Sequence, residues 1–336
     1  MKNPTDYSQY PPIFQEFISY KSVIQGCSPK TVEEYALDLK IFFKFLIATR
    51  CGVSTEGEDF EQVSIDVVDL DMAKSVRTED IYAFLMYTSN MRNNQNASKA
   101  RKLSAIKSFY KYLVAKRRYF EENPAINIEA PKQRKSLPKF LSLEESLMLL
   151  EAVKNDTASK FVTRDYAIVT LFLNCGMRLS ELVGINLNDV DRDLRSLRVL
   201  GKGNKERIIY LNEACQDALA TYLSERLELA QSTKIETNAL FLSRLEKRIS
   251  EKTVQWMVYK YLDMAGLEAK RYSVHKLRHT AATLMYQSGN VDVRVLKDIL
   301  GHEQLNTTQI YTHVSNAGME KAMSQNPLAK VDKNKL

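Results

Sequence analysis

His275-Lys276-Leu277-Arg278-His279-Thr280, then Leu300-Gly301-His302, then Thr307-Thr308-Gln309-Ile310-Tyr311-Thr312-His313 contain all four histidines of a 336-residue chain. Something is concentrated there, and metal is the first idea. His275 and His279 stand at i and i+4, one helical face, as zinc ligands can. The residues between them are Lys276, Leu277 and Arg278, however, and a guanidinium beside the pair repels a cation. No nearby Asp, Glu or Cys completes a site, so His279 reads better as a hydrogen-bonded histidine at the edge of the core. As an anion site the segment makes sense. Arg278 presents a planar, permanently charged fork that matches two phosphate oxygens. His275, one turn earlier on the same face, can donate or accept a proton. Leu300-Gly301 reads as a helix ending at a glycine, and Thr307 or Thr308 can cap a new helix. Tyr311 then falls near that helix's first turn, where the dipole favours phosphate or a developing phenolate. A tyrosine nucleophile, with an ordinary pKa of about 10, needs such help.

Upstream, Gly176-Met177-Arg178-Leu179-Ser180-Glu181-Leu182 adds a second arginine. Leu197–Leu200 and Arg207–Leu211 are short β-type runs around Gly201-Lys202-Gly203-Asn204-Lys205-Glu206, which reads as a hairpin loop. The remainder from about Leu143 to Met323 has helical periodicity. Three of the eight prolines, Pro124, Pro131 and Pro138, fall together with Lys132, Arg134, Lys135 and Lys139. That is an extended basic linker, and it predicts a boundary near residue 135. The first 120 residues read as helices. Ser28-Pro29 predicts an N-cap with proline at N1, followed by Val32, Tyr35, Leu39, Phe42 and Leu46 as the apolar stripe. Cys51–Val76 reads as an irregular acidic excursion. A helix starts at Thr78, and another runs from about Asn96 to Ala115 with Leu103, Ile106, Tyr110 and Leu113 inward.

Composition narrows the class. Hydrophobic residues at 44% and charged residues at 26% are ordinary for globular chains, and this length suggests two domains. A formal charge of +7 is compatible with nucleic acid or an anionic surface. Its placement is more telling: Glu56–Asp80 holds nine acids and two bases, and Arg92–Arg118 nine bases and no acid. No apolar run is long enough for a membrane span, and Met1–Pro12 does not read as a signal peptide. Cys27, Cys51, Cys175 and Cys215 are far apart in sequence without a CxxC pair, which argues against a disulfide framework or structural zinc and fits a reducing, cytoplasmic location.

In order and spacing, the Gly176–Leu182 segment, the Gly201-Lys202-Gly203 hairpin, His275–Thr280, Leu300–His302 and Thr307–His313 resemble the successive signatures of the tyrosine recombinase (phage integrase) family. Asn123-Pro124-Ala125 and Pro131–Pro138 are similar to its Xer-like branch, so the resemblance covers nearly the whole chain. Cys51–Val76 looks longer than the usual Xer pattern. The resemblance implies a mainly α fold. A four-helix-like, SAM-like core-binding domain over 11–120 would bind DNA. A basic linker would cover 121–140, an α-rich mixed α/β catalytic domain with a small β-hairpin sheet 141–325, and a tail 326–336.

It also implies roles. Arg178 and Arg278 would clamp the scissile phosphate. Tyr311 would attack phosphorus to give a 3′-phosphotyrosine, and Lys202 would protonate the leaving 5′ oxygen. His275 would be a general base or proton carrier, and His302 would hydrogen-bond the phosphate. Glu181 would support the site by orienting it. Two arginines, a lysine and two histidines supply the positive charge a metal would otherwise bring, so no metal ion or other cofactor is expected. Ester exchange conserves bond energy, so no ATP is expected either, and the chain has no GxxxxGK[ST] loop.

Arg101, Ser104, Lys107, Ser108 and Lys111 share one face of the 96–115 helix. There the small residues let backbone approach DNA while the bases reach phosphates or groove edges. The expected partner is duplex DNA with paired recombination sites, bound by a homo- or hetero-tetramer, with or without an activating protein. Met319, Ala322, Met323 and Leu328 would anchor a C-terminal helix in a neighbouring protomer or in cis. The expected role is resolution of chromosome or plasmid dimers. The alternatives are an integrase or excisionase of a mobile element, a type IB topoisomerase-like relaxase, and a DNA-binding protein without catalysis.

Overall fold

Proline opens the first two helices of the N-terminal half, and a hydroxyl caps the second. The computed structural model describes residues 6–90, 96–130, 139–201, 205–232, 235, 237–270, 272–289, 291–301 and 308. It divides into two compact units, Met1–Lys135 and Ser136–Leu336. In the first, α1 (Pro12–Ser19) has proline in its first turn. In α2 (Pro29–Cys51), Ser28 Oγ accepts from the Thr31 amide at 3.2 Å, and Gly52 ends the helix at φ 69°, a left-handed conformation that glycine adopts without strain. Then come α3 (Gly57–Gln62), α4 (Leu70–Lys74), α5 (Thr78–Asn90) and α6 (Asn96–Lys111).

The stripe expected on α2 is inward: Val32, Leu39, Phe42 and Leu46 are buried, and Tyr35 packs against the core as a half-buried residue. On α6, Leu103, Ile106, Phe109 and Tyr110 are buried, and Leu113 is buried in the π-helical turn Tyr112–Lys116 that follows. Phe109 meets Phe14 and Phe17 edge-on, at ring separations of 5.5 and 5.4 Å. Each such fully buried ring contributes roughly 2–3 kcal/mol through apolar burial.

Cys51–Val76 differs from the irregular excursion expected, since it contains α3 and α4. Phe60, Ile65, Val68, Ala73 and Val76 bury themselves at spacings that follow neither helix nor strand period. Long-range contacts hold the segment instead. Lys44 of α2 donates to the Glu61 carbonyl at 2.6 Å, and Asp69 caps α4 by accepting from the Met72 amide at 2.8 Å. Three of its acids, Glu58, Asp59 and Asp71, stand in the first turns of α3 and α4, where the helix dipole favours them.

The second unit starts with α7 (Leu143–Lys154), closed by a capping box between Ser142 and Glu145. The central helix α8 (Val162–Cys175) packs against α7, α10 (Glu213–Ser232) and α12 (Val274–Gln287). It is therefore buried nearly all round, with Ala167–Leu173 inside. A short α9 (Leu179–Gly184) leads to the expected hairpin, β1 (Ser196–Leu200) antiparallel to β2 (Glu206–Tyr210), in register Leu200 with Glu206. The remaining helices are α11 (Glu251–Met264) and α13 (Val293–Leu300). Among the described residues there are thirteen α-helices and one two-stranded sheet, the mainly α fold with a β-hairpin. None of these helices is long and apolar enough to cross a membrane. Two of the cysteines that are remote in sequence meet: Cys175 and Cys215 are buried free thiols with sulfurs 3.8 Å apart.

Candidate active site and nucleic-acid interface

Gly176 terminates α8 in the left-handed region, at φ 58°. A methyl group there would meet Leu300 Cδ2 at 2.9 Å and Ala281 Cβ at 3.4 Å, so the glycine also lets α13 and α12 close on the turn. The chain then passes through buried Met177 to Arg178, which stands just before α9. Glu181, in the first turn of α9, folds back to accept the Arg178 amide at 2.6 Å on Oε2 and the Arg178 guanidinium at 2.7 Å on Oε1.

The two arginines of the sequence reading converge on one place. Arg178 Nη2 donates to the Gly301 carbonyl at 3.0 Å. Arg278, on α12 and only 3% exposed, donates from Nη2 to the Leu300 carbonyl and from Nη1 to the Gly176 carbonyl, both at 2.6 Å. Consecutive carbonyls at the C-terminus of α13, the negative end of its dipole, thus hold two guanidiniums side by side. Gly301 makes this possible by ending α13 at φ 63°. The Arg178 side chain keeps 33% of its surface exposed, unlike buried Arg278.

Glu181 is buried at 2% exposure. Burial would raise its pKa, but hydrogen bonds from Arg207, the Arg178 amide and the Arg178 side chain outweigh it and hold the carboxyl down to about 2. His275 lies one turn before Arg278, its ring 4.6 Å from that of His279 in an edge-on pair. Burial lowers the pKa of both; Arg278, Lys276 and Arg178 press His275 further toward neutrality, and His279 falls to about 4. A neutral imidazole beside two guanidiniums can accept a proton. Lys202, His302 and Tyr311 lie outside the described residues, as do Met319, Ala322, Met323 and Leu328.

Comparison with known proteins gives the family. The model of the Phage integrase family matches residues 139–317, and that of the phage integrase N-terminal SAM-like domain matches 14–117. The chain is 49% identical over 321 residues to tyrosine recombinase XerC of Caldanaerobacter subterraneus subsp. tengcongensis, covering 96% of this chain and 88% of that one. It is 33% identical to tyrosine recombinase XerC of Thermodesulfovibrio yellowstonii, over 94% of this chain and 96% of that one.

The chain belongs to the phage integrase family of tyrosine recombinases.

Its fold is shared with XerH site-specific recombinase in a pre-cleavage complex with difH substrate, at a TM-score of 0.68 and 22% identity, covering 97% of this chain and 99% of that one.

The recombinase's N-terminal unit carries the basic face expected on α6. Ser104, Lys107, Ser108 and Lys111 line a groove of about 460 Å³ together with Lys21 and Tyr35. Lys21 sits over the Tyr35 ring at 4.9 Å and donates to Gln25 at 2.7 Å. Arg101 is turned toward α2, where it pairs with Glu34 and, at 2.7 Å, with fully buried Asp38.

One site residue escaped the sequence reading. Arg207 of β2 donates Nη1 to Glu181 Oε1 at 2.6 Å and Nη2 to Oε2 at 3.0 Å. The signal was strand alternation. Position 207 shares a face with buried Ile209, so a cation there requires a buried partner.

Proposed function

We propose that this recombinase cuts and rejoins duplex DNA at paired specific sites through a 3′-phosphotyrosine at Tyr311. The observation that carries the reading is the convergence of Arg178 and Arg278 on the Leu300 and Gly301 carbonyls. Tyrosine Oη attacks phosphorus as the bond from phosphorus to the 5′ oxygen breaks. Lys202 gives that oxygen its proton, and His275, or water through it, takes the tyrosine's. Arg178 and Arg278 offset charge on the non-bridging oxygens, and His302 adds a hydrogen bond there. Rejoining reverses the step, with a 5′-hydroxyl from the partner strand displacing the tyrosine. Bond energy is conserved, so no ATP enters, and the two arginines, the lysine and the two histidines supply the positive charge a metal ion would otherwise bring.

Residues 11–120 act as the core-binding domain and 141–325 as the catalytic one. Ser104, Lys107, Ser108 and Lys111 approach DNA, with Arg101 joining them only by exchanging its acidic partners. The XerC names of the relatives support resolution of chromosome or plasmid dimers, in chromosome partition at cell division; on the same reading the recombinase acts as a tetramer on paired sites.

Covalent trapping tests the reading. Protein and sheared genomic DNA are mixed in EDTA without ATP and denatured, and protein-linked DNA is sequenced, with Tyr311→Phe as control. A Tyr311-dependent adduct at one shared sequence is expected. Adducts scattered without sequence preference would indicate a relaxase instead, and an adduct persisting in Tyr311→Phe would remove Tyr311 as the nucleophile.

A further inference from the structure

The Glu181–Arg207 ion pair lies beneath the base of the hairpin that carries Lys202. The loop is closed by the Gly201 amide donating to the Lys205 carbonyl at 2.8 Å. A methyl group on Gly201 would stand 3.6 Å from Glu181 Oε1 and 3.7 Å from Arg207 Nη1, so the loop base lies close to the pair. From the other side, a methyl group on Gly301 would come within 2.9 Å of Arg207 Nη1 and 3.1 Å of its Cζ. The guanidinium is therefore packed against the end of α13, at the residue whose carbonyl anchors Arg178. Three segments meet on this one side chain: the start of α9, the end of α13 and the hairpin.

Arg178 and Arg278 each have partners other than Arg207. Without it, Arg178 retains Glu181 Oε1 and the Gly301 carbonyl, and Arg278 retains its two carbonyls. The Gly201 turn, by contrast, would lose the guanidinium close to its base. The Nε of Arg207 is buried without a hydrogen-bond partner among the described residues.

We propose that Arg207 is a positioning residue for the leaving-group proton: it seats the Gly201 turn on Glu181 and thereby sets where Lys202 meets the 5′ oxygen. This rests on the reading of Lys202 as general acid. It predicts that loss of Arg207 mimics loss of Lys202 rather than loss of Arg178.

The test is single-turnover cleavage of the trapped site in two forms, one with the natural 5′-bridging oxygen and one with 5′-bridging sulfur. A thiolate, with a conjugate pKa of about 8.5, leaves without being protonated. Arg207→Ala is expected to slow the oxygen substrate by about 10²-fold, the low end for general-acid loss. It should cleave the sulfur substrate within about tenfold of the native rate, as should Lys202→Ala. Arg178→Ala should stay slow on both. Arg207→Lys keeps the charge and loses the fork, so it should show the same pattern at smaller amplitude, and it carries the test if Arg207→Ala does not fold. Arg207 variants equally slow on both substrates, or equal to native on both, would overturn the proposal. If Lys202→Ala itself is not rescued, the general-acid reading fails and the proposal falls with it, a result distinct from failure of the Arg207 variants alone.

Discussion

Glu181 and His279 each titrate far from their ordinary values, and both make the fold acid-sensitive. A carboxyl held at about 2 contributes stability that is complete above 4.5 and is lost as pH falls from 4.5 toward 2. A histidine depressed from 6.5 to about 4 is neutral in the fold while the unfolded chain takes up a proton, so its share is lost as pH falls between those values. Urea midpoints measured from pH 7 to pH 4 should decline, and His279→Asn should flatten that decline. An unchanged slope in the variant would mean His279 is not the group responsible. His275 bears on rate. Burial and the neighbouring cations lower its pKa below 6.5, which keeps the base form available at neutral pH. The cleavage rate at limiting enzyme should fall on an acid limb below pH 6.5, and His275→Gln should lose that limb along with most activity.

At the scale of elements, the turn between α8 and α9 carries the greatest constraint. Gly176 combines φ 58° with a neighbouring Leu300 methyl at 2.9 Å from any added Cβ. Gly176→Ala should cost about 1–3 kcal/mol from backbone strain alone. Because the Gly176 carbonyl accepts from Arg278, cleavage should suffer as well. Thermal unfolding and single-turnover cleavage read the two effects, and a variant with native melting and native rate would contradict this account. A capping box such as that of Ser142 and Glu145 is local, so sequence reveals it. The α3–α4 stretch has only the Asp69 cap of α4 as local code. Its apolar residues follow no period, and Lys44, distant in sequence, supplies its hydrogen bonds.

For the whole molecule, charge is segregated along the chain, and that should dominate binding. The basic groove over α6 should attach to phosphates by counterion release, so affinity should drop steeply with salt. Lys107→Ala and Lys111→Ala should each lower the slope of log affinity against log salt by about one, with little change in site preference. Arg101→Ala should change the slope less, because Arg101 is already paired with Glu34 and Asp38. Equal slope changes in all three variants would show that Arg101 exchanges its partners on DNA.

The helical periodicities and the hairpin were legible in the sequence alone, and so were Arg178, Arg278 and His275 as candidate site residues. Those signals are local: a cap, a stripe or a turn residue reports on its own few neighbours. Only the tertiary structure decided that Arg178 and Arg278 share consecutive carbonyls of α13. It alone showed Arg101 bound to α2, and Cys175 beside Cys215. It alone revealed Arg207 as the cation shared by three segments. Each of those facts depends on pairing residues dozens of positions apart, and a linear chain carries no periodicity that records which distant partner a buried charge will find.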